Sequence, residues 1–257
     1  MPQCRLASSS ATSLCGAGDN AAQCSALVAL ANALSFTSWP STYTSTWLRG
    51  TSYCTWAGLT CSGKAVTGLQ LIGVGVGAWP SSVSSLPYLQ SFNYEPSLVG
   101  DTSGVGSLPT GMVSWTSLTF LRMDCSRMTG CFSGALDAIS SLPALQSLSL
   151  RGLGSVTAPS VWSLPALTSL MLHDTGRLAG TLPSLPAVQT LDVSGAGFTA
   201  LGALPASMRS FAISSTPLAG SLPDVSGLTG LTSITISGTS LSGTVPSASC
   251  TALSGTR

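Results

Sequence analysis

"LPALQSLSL" at residues 142–150, "LPALTSLML" at 164–172, "LPAVQTLDV" at 185–193 and "LTGLTSITI" at 228–236 share one skeleton, Leu-x-x-Leu-x-x-Leu-x-Leu, with other aliphatics substituting. Looser copies are "LPYLQSFNY" from Leu86, "WTSLTFLRM" from Trp115, "MRSFAI" ending at Ile213 and "VTGLQL" at 66–71. Marking the penultimate apolar residue of each gives Leu69, Phe92, Leu121, Leu148, Leu170, Leu191, Phe211 and Ile234, with spacings of 23, 29, 27, 22, 21, 20 and 23. Eight copies in register, each followed by a Gly- or Pro-containing segment, exclude chance in a Leu-rich chain.

A period of about 20 to 29 residues on this skeleton is a leucine-rich repeat. In "SLSLR" (147–151) the period-2 alternation of a strand turns Leu148 and Leu150 inward and Ser147, Ser149 and Arg151 outward. A buried leucine contributes only about 1.5–3 kcal/mol and needs covering from both sides, so stability accumulates along a stack of coils. After the strand comes a Leu-x-Gly-x-Leu-Pro phrase, at Leu178–Pro183, Leu218–Pro223 and, with Val245 for the second Leu, Leu241–Pro246. Its Gly allows a tight turn, and its Pro suits a convex side better than a hydrogen-bonded ladder. The expected fold is an α/β leucine-rich repeat solenoid with short parallel strands on the concave face, an irregular and 3₁₀ convex face, and a disulfide-bonded N-terminal cap. Where such repeats place a buried Asn or Cys, this chain has Val74, Ser97, Ser126, Leu153, Thr175, Ala196, Thr216 and Thr239. The hydroxyls are expected to supply part of the missing ladder; Val74, Leu153 and Ala196 cannot.

The expected organisation is a tail at 1–23 whose order the sequence leaves open, a helical cap at 24–65, about eight repeats at 66–248 and an incomplete C-terminal end at 249–257. Of 257 residues only 7% are charged and the net charge is +1, which argues against a nucleic-acid partner. No run approaches the ~18 apolar residues of a membrane span. The best apolar run, "ALVALANAL" at 26–34, reads as a capping helix with Leu27, Leu30 and Leu34 on one face; as a secretory leader it would need a basic segment before it, and residues 16–25 hold none. Asn20, Asn32 and Asn93 form no N-glycosylation sequon.

Eight cysteines point to an oxidising compartment. Cys54 and Cys61 frame "CTWAGLTC" just ahead of the first repeat, where the stack must cover its apolar end; a disulfide there, with Trp56 as a lid, is expected. No Cys-x-x-Cys spacing supports a metal site, and no cofactor is expected. Cys125 and Cys131 flank one turn and are expected to form a second bridge. Cys4, Cys15, Cys24 and Cys250 allow three pairings, all left open.

"CTWAGLTC" preceded by Trp47 resembles the cap of plant-type leucine-rich repeat ectodomains, whose pattern is Cys-x-Trp-x-Gly-x-x-Cys. Thr in the Asn position of "ISGTSLSGTVP" (236–246) is similar to the promastigote surface antigen family of trypanosomatid parasites such as Leishmania. The resemblance covers roughly residues 24–248. It implies a secreted or lipid-anchored, non-enzymatic surface protein that serves in adhesion. Membrane attachment is then expected only through an anchor outside this chain.

The concave face of a solenoid is its usual binding surface. Two of its outward stripes run Gln70, Asn93, Arg122, Ser149, Met171, Asp192, Ala212, Thr235 and Ile72, Glu95, Asp124, Arg151, His173, Ser194, Ser214, Ser237. Strands lie about 4.8 Å apart, so Asn93, Glu95, Arg122, Asp124, Arg151, Met171, His173 and Asp192 form a patch about 20 Å long. They are the expected binding site for a protein or glycan, and a monomer is expected. The same charges could instead pair with one another across adjacent strands, where exposed pairs are worth about 0–1 kcal/mol. His173 beside Asp174 resembles half of a catalytic pair, but no nucleophile elbow accompanies it, so no catalysis is expected. A receptor or enzyme-inhibitor ectodomain and a structural coat protein are the other readings. The last coil lacks a polar cap after Ile236 and is expected to fray or to meet further sequence.

Overall fold

The computed structural model describes residues 11–97, 106–108, 110–127, 131–153 and 155–243. Cys4, Cys250, the expected C-terminal end at 249–257 and the last residues assigned to the repeats lie outside them.

Helix α1, Ala21–Ala33, begins the cap proper, and Asn20 starts it by accepting hydrogen bonds from the N–H groups of Ala22 and Gln23 at 3.0 and 3.1 Å. Leu27, Leu30 and Leu34 are fully buried, as the spacing predicts. Behind the helix lies an aromatic stack in which Trp39, Trp47 and Trp56 follow one another at ring separations of 5.1 and 4.9 Å. Indole N–H groups of Trp39 and Trp47 donate to the carbonyls of Leu34 and Ala57. Trp56 is a member of this stack, 1% exposed, rather than a lid over it.

The boundary expected after residue 23 is crossed by a disulfide, Cys15–Cys24, one of the pairings the sequence leaves open. Asp19 ties the same segment down, accepting from the N–H groups of Gly16 and Tyr53 at 3.0 and 2.8 Å and from the Ser52 hydroxyl at 2.8 Å. Residues 11–23 are therefore joined to the cap by covalent and charge-assisted bonds. Cys54–Cys61 and Cys125–Cys131 are bonded as expected.

From the cap the chain enters a nine-stranded sheet. Leu59–Ser62 runs antiparallel to Ala65–Val74, and seven further strands then add in parallel: Ser91–Pro96, Phe120–Asp124, Ser147–Arg151, Ser169–His173, Thr190–Ser194, Ser210–Ser214 and Ser233–Ser237. Counted from Ala65, these are the first to eighth parallel strands. The apolar marks pair as read, Leu69 with Phe92, Leu121, Leu148 and Leu170 in turn. This is a leucine-rich repeat solenoid with a disulfide-bonded cap.

The Leu-x-Gly-x-Leu-Pro phrase opens with a second short strand. Ala179–Leu182 pairs in parallel with Gly197–Leu201, and Ala219–Ser221 with Ser240–Ser242, before the chain enters irregular and 3₁₀ convex segments. Pro183 falls just past its strand, where no ladder donor is missed. Between the two strands the backbone turns left-handed at one repeated position: Gly73, Gly152, Asp174, Gly195, Ser215 and Gly238 all have positive φ. At Gly152 a Cβ would also lie 2.5 Å from the Cys125 carbonyl carbon, so glycine is required twice over.

The hydroxyl ladder departs from expectation. Thr175 and Thr216 are 0% and 4% exposed, yet among the described residues neither hydroxyl has a partner. Ser97 donates to the Gly73 carbonyl at 3.3 Å and Thr239 accepts from the Leu241 N–H at 3.4 Å, while Ser126 turns to Asp124 instead. Val74, Leu153 and Ala196, all buried, fill their positions by packing alone.

Candidate functional site

Backbone register brings the expected residues onto one face. Asn93, Arg122, Ser149, Met171 and Asp192 are successive Cα partners across the second to sixth strands, and Asp124, Arg151 and His173 across the third to fifth. Alternation turns them all away from the leucine core.

Within the patch the contacts are selective. Arg122 bonds Asp124 of its own strand at 3.0 Å. Asp124 is itself 6% exposed and is clamped by the Ser126 hydroxyl and N–H at 2.6 and 3.1 Å. Burial pushes the Asp124 carboxyl up, but the bonds from Ser126 and Arg122 outweigh it and hold the group below the usual carboxylate range. A fixed carboxylate thus aims an arginine whose side chain is 41% exposed. Arg151 stands opposite Asp124 in register but, among the described residues, makes no ion pair, because the facing carboxylate is already taken. Glu95 is engaged by Arg127 at 3.5 Å, from the turn after the third strand. Cross-strand pairing among Glu95, Arg122, Asp124 and Arg151 is therefore not what the structure shows: one pair is within a strand, one recruits Arg127, and Arg151 stays open.

His173 lies 3.0 Å from Asp192 on the next strand, close but without the alignment of a hydrogen bond. Asp174, its neighbour in sequence, sits in the left-handed turn beyond the strand (φ 53°), so the His-Asp adjacency in the sequence is not the adjacency in space. Met171, 37% exposed, stands between the charged groups. Sequence reasoning placed Ser126 only in the ladder, not as a clamp on Asp124, and missed Arg127, which lies in the turn outside the alternating strand and carries no periodic signal. It also missed Phe120, 36% exposed, in a third outward stripe otherwise made of Ser, Thr and Gly.

No group of three or more His, Cys, Asp or Glu side chains suited to a metal occurs among the described residues. Nor, among them, is any helix long and apolar enough to cross a membrane.

Residues 20–62 match the family model described as the leucine rich repeat N-terminal domain. No curated protein matches the chain in sequence. Among solved structures it is similar to a plant ice-binding protein, at 18% identity over 89% of each chain and a TM-score of 0.42. It is also similar to PEPR1 in the PEPR1–AtPEP1 structure, at 20% identity over 86% of this chain and 42% of that one, TM-score 0.41. The leucine-rich repeat ectodomain of the receptor kinase GASSHO1/SCHENGEN3 from Arabidopsis thaliana, in complex with Casparian strip integrity factor 2, matches at 17% identity over 76% of this chain and 27% of that one, TM-score 0.44. The chain spans less than half the length of these two receptor chains.

Proposed function

We propose that this chain is a non-enzymatic extracellular recognition module that receives a carboxylate-bearing peptide or protein segment across its second to sixth strands, as a ligand-binding ectodomain does. The observation that carries this reading is the pair of guanidiniums on adjacent strands: Arg122, aimed by a buried carboxylate, and Arg151, with no ion pair among the described residues. A guanidinium presents a planar fork of donors that fits a carboxylate, and an arginine already positioned loses less freedom on binding. Met171 adds an apolar contact beside them, and the run of about 20 Å suits an extended segment. Three disulfides among the described residues fit an oxidising, extracellular setting.

The narrower reading as a trypanosomatid-type surface antigen or adhesin rests on Thr175, Thr216 and Thr239 in the ladder positions. It makes the same site prediction with a host protein as partner. Panning the secreted chain against a displayed peptide library tests the proposal. The expected hits are rich in Asp, Glu or a free C-terminal carboxylate, weaken with salt, and are lost in Arg122→Ala/Arg151→Ala/His173→Ala. Hits retained by that variant place the site elsewhere, and the absence of any salt-sensitive partner supports a structural coat protein.

A further inference from the structure

At the cap end of the same face lies a depression of about 600 Å³, within the ~300–1,000 Å³ range of small-ligand sites. It forms because the outward stripe that begins each strand carries Gly68 on the first parallel strand, then Ser91 and Phe120. A side chain at 68 would crowd the floor: its Cβ would lie 3.1 Å from the Thr60 Cβ on the antiparallel strand beside it. Gln70, Gln90 and Asn93 stand around this floor, and Phe120 flanks it.

The chemistry of this lining differs from that of the arginine patch. None of its residues is charged. The side-chain amides of Gln70 and Gln90 are exposed and, among the described residues, make no hydrogen bond. Asn93 Oδ1 is buried without a partner among the described residues. Each amide offers two N–H donors and an acceptor oxygen, a set that matches hydroxyl groups on adjacent carbons, since every hydroxyl both donates and accepts. A partly exposed phenyl ring supplies an apolar plane for the C–H face of a sugar ring. A lining of amides and one ring without any charge suits a neutral ligand, not the carboxylate-bearing segment proposed for the arginine patch.

We infer that this depression is a second binding site, one for a short neutral oligosaccharide, with Phe120 as the stacking platform and the exposed amides of Gln70 and Gln90 as the hydroxyl-reading groups. It shares only Asn93 with the arginine patch and stands or falls independently of it.

The test is an array of neutral β-glucan, mannan and galactan oligosaccharides, with oligogalacturonate and heparin fragments as anionic comparators, probed with the full chain at low and physiological salt. Calorimetry follows on any neutral sugar retained. The expected result is neutral-sugar binding insensitive to salt, about tenfold or more weaker in Phe120→Ala and in Gln70→Ala/Gln90→Ala, and unchanged in Arg151→Ala. All these side chains are at least partly exposed, and unchanged circular dichroism and thermal unfolding confirm that the variants fold. Retention of no neutral sugar by the folded chain, or equal binding by the Phe120 and Gln variants, overturns the assignment. Capture of anionic fragments alone, lost in Arg151→Ala, overturns it too while supporting the arginine patch.

Discussion

The two ends of this solenoid share one backbone repeat and differ in almost everything laid upon it. From Phe36 to Phe132 the interior is aromatic, with tryptophan, tyrosine and phenylalanine rings packed on one another from Phe36 against Trp39 to Tyr94 against Phe132. Every disulfide among the described residues lies in this half or the cap before it. From the sixth strand onward the core is aliphatic with Phe198 and Phe211, and the concave face beyond Asp192 is Ser, Thr and Ala without a charge. Ser214 and Ser194 there bond each other, at 2.9 Å. The final coil is incompletely covered, since Ile234 and Ile236 are only half-buried. The difference is one of material: the cap end is held by packed rings and disulfides, and the far end extends the stack with aliphatic side chains alone apart from Phe198 and Phe211.

The largest expected effect tests where stability is concentrated. Trp47→Ala removes a fully buried ring from the aromatic stack and orphans the Ala57 carbonyl; a loss of about 3–5 kcal/mol in urea unfolding is expected. Ile234→Ala, at a half-covered position, should cost about 1–2 kcal/mol. Equal losses would break the comparison.

Hydrogen exchange resolves the same gradient along the chain. Amides of residues 228–243 should exchange faster than those of residues 142–193, because the eighth strand has a neighbour on one side only among the described residues. Uniform protection would mean that further sequence covers that end.

A smaller effect sharpens the account of the ladder. Thr175→Val removes a buried hydroxyl that lacks a partner among the described residues, so stability should rise by about 1 kcal/mol. A loss of that size would reveal a bound water or another partner at the hydroxyl.

The smallest concerns Asp124. Its folded carboxyl sits below the ordinary value of 3.8, so its ionised form favours the fold above that value. Asp124→Asn should therefore be less stable than the parent at neutral pH, by up to about 1 kcal/mol. The difference should shrink as the pH falls below about 4 and vanish once Asp124 is protonated in the fold. A pH-independent difference would assign the loss to packing instead.

Much of this was legible in the residues. Leu148, Leu170 and Leu191 announce the strands because alternation is a local property, and the concave stripes follow from the same count. Cys54–Cys61 and Cys125–Cys131 were legible because short intervals leave few alternatives. The Cys15–Cys24 bridge was not, since four cysteines admit three pairings. Nor was the role of Asp19, whose partners Ser52 and Tyr53 lie more than thirty residues away. The pairing of His173 with Asp192 rather than Asp174 likewise depends on which strand lies beside which.

The sequence by itself determined the repeat, the inward leucines, the cap and the outward stripes of the concave face, because all of these follow from a short period and the alternation of a strand. Only the tertiary structure decided which charges pair, which arginine stays open, and that Gly68 leaves a hollow between Thr60 and Phe120. Those outcomes depend on distances of a few ångströms between residues that the chain brings together only by stacking one coil on the next.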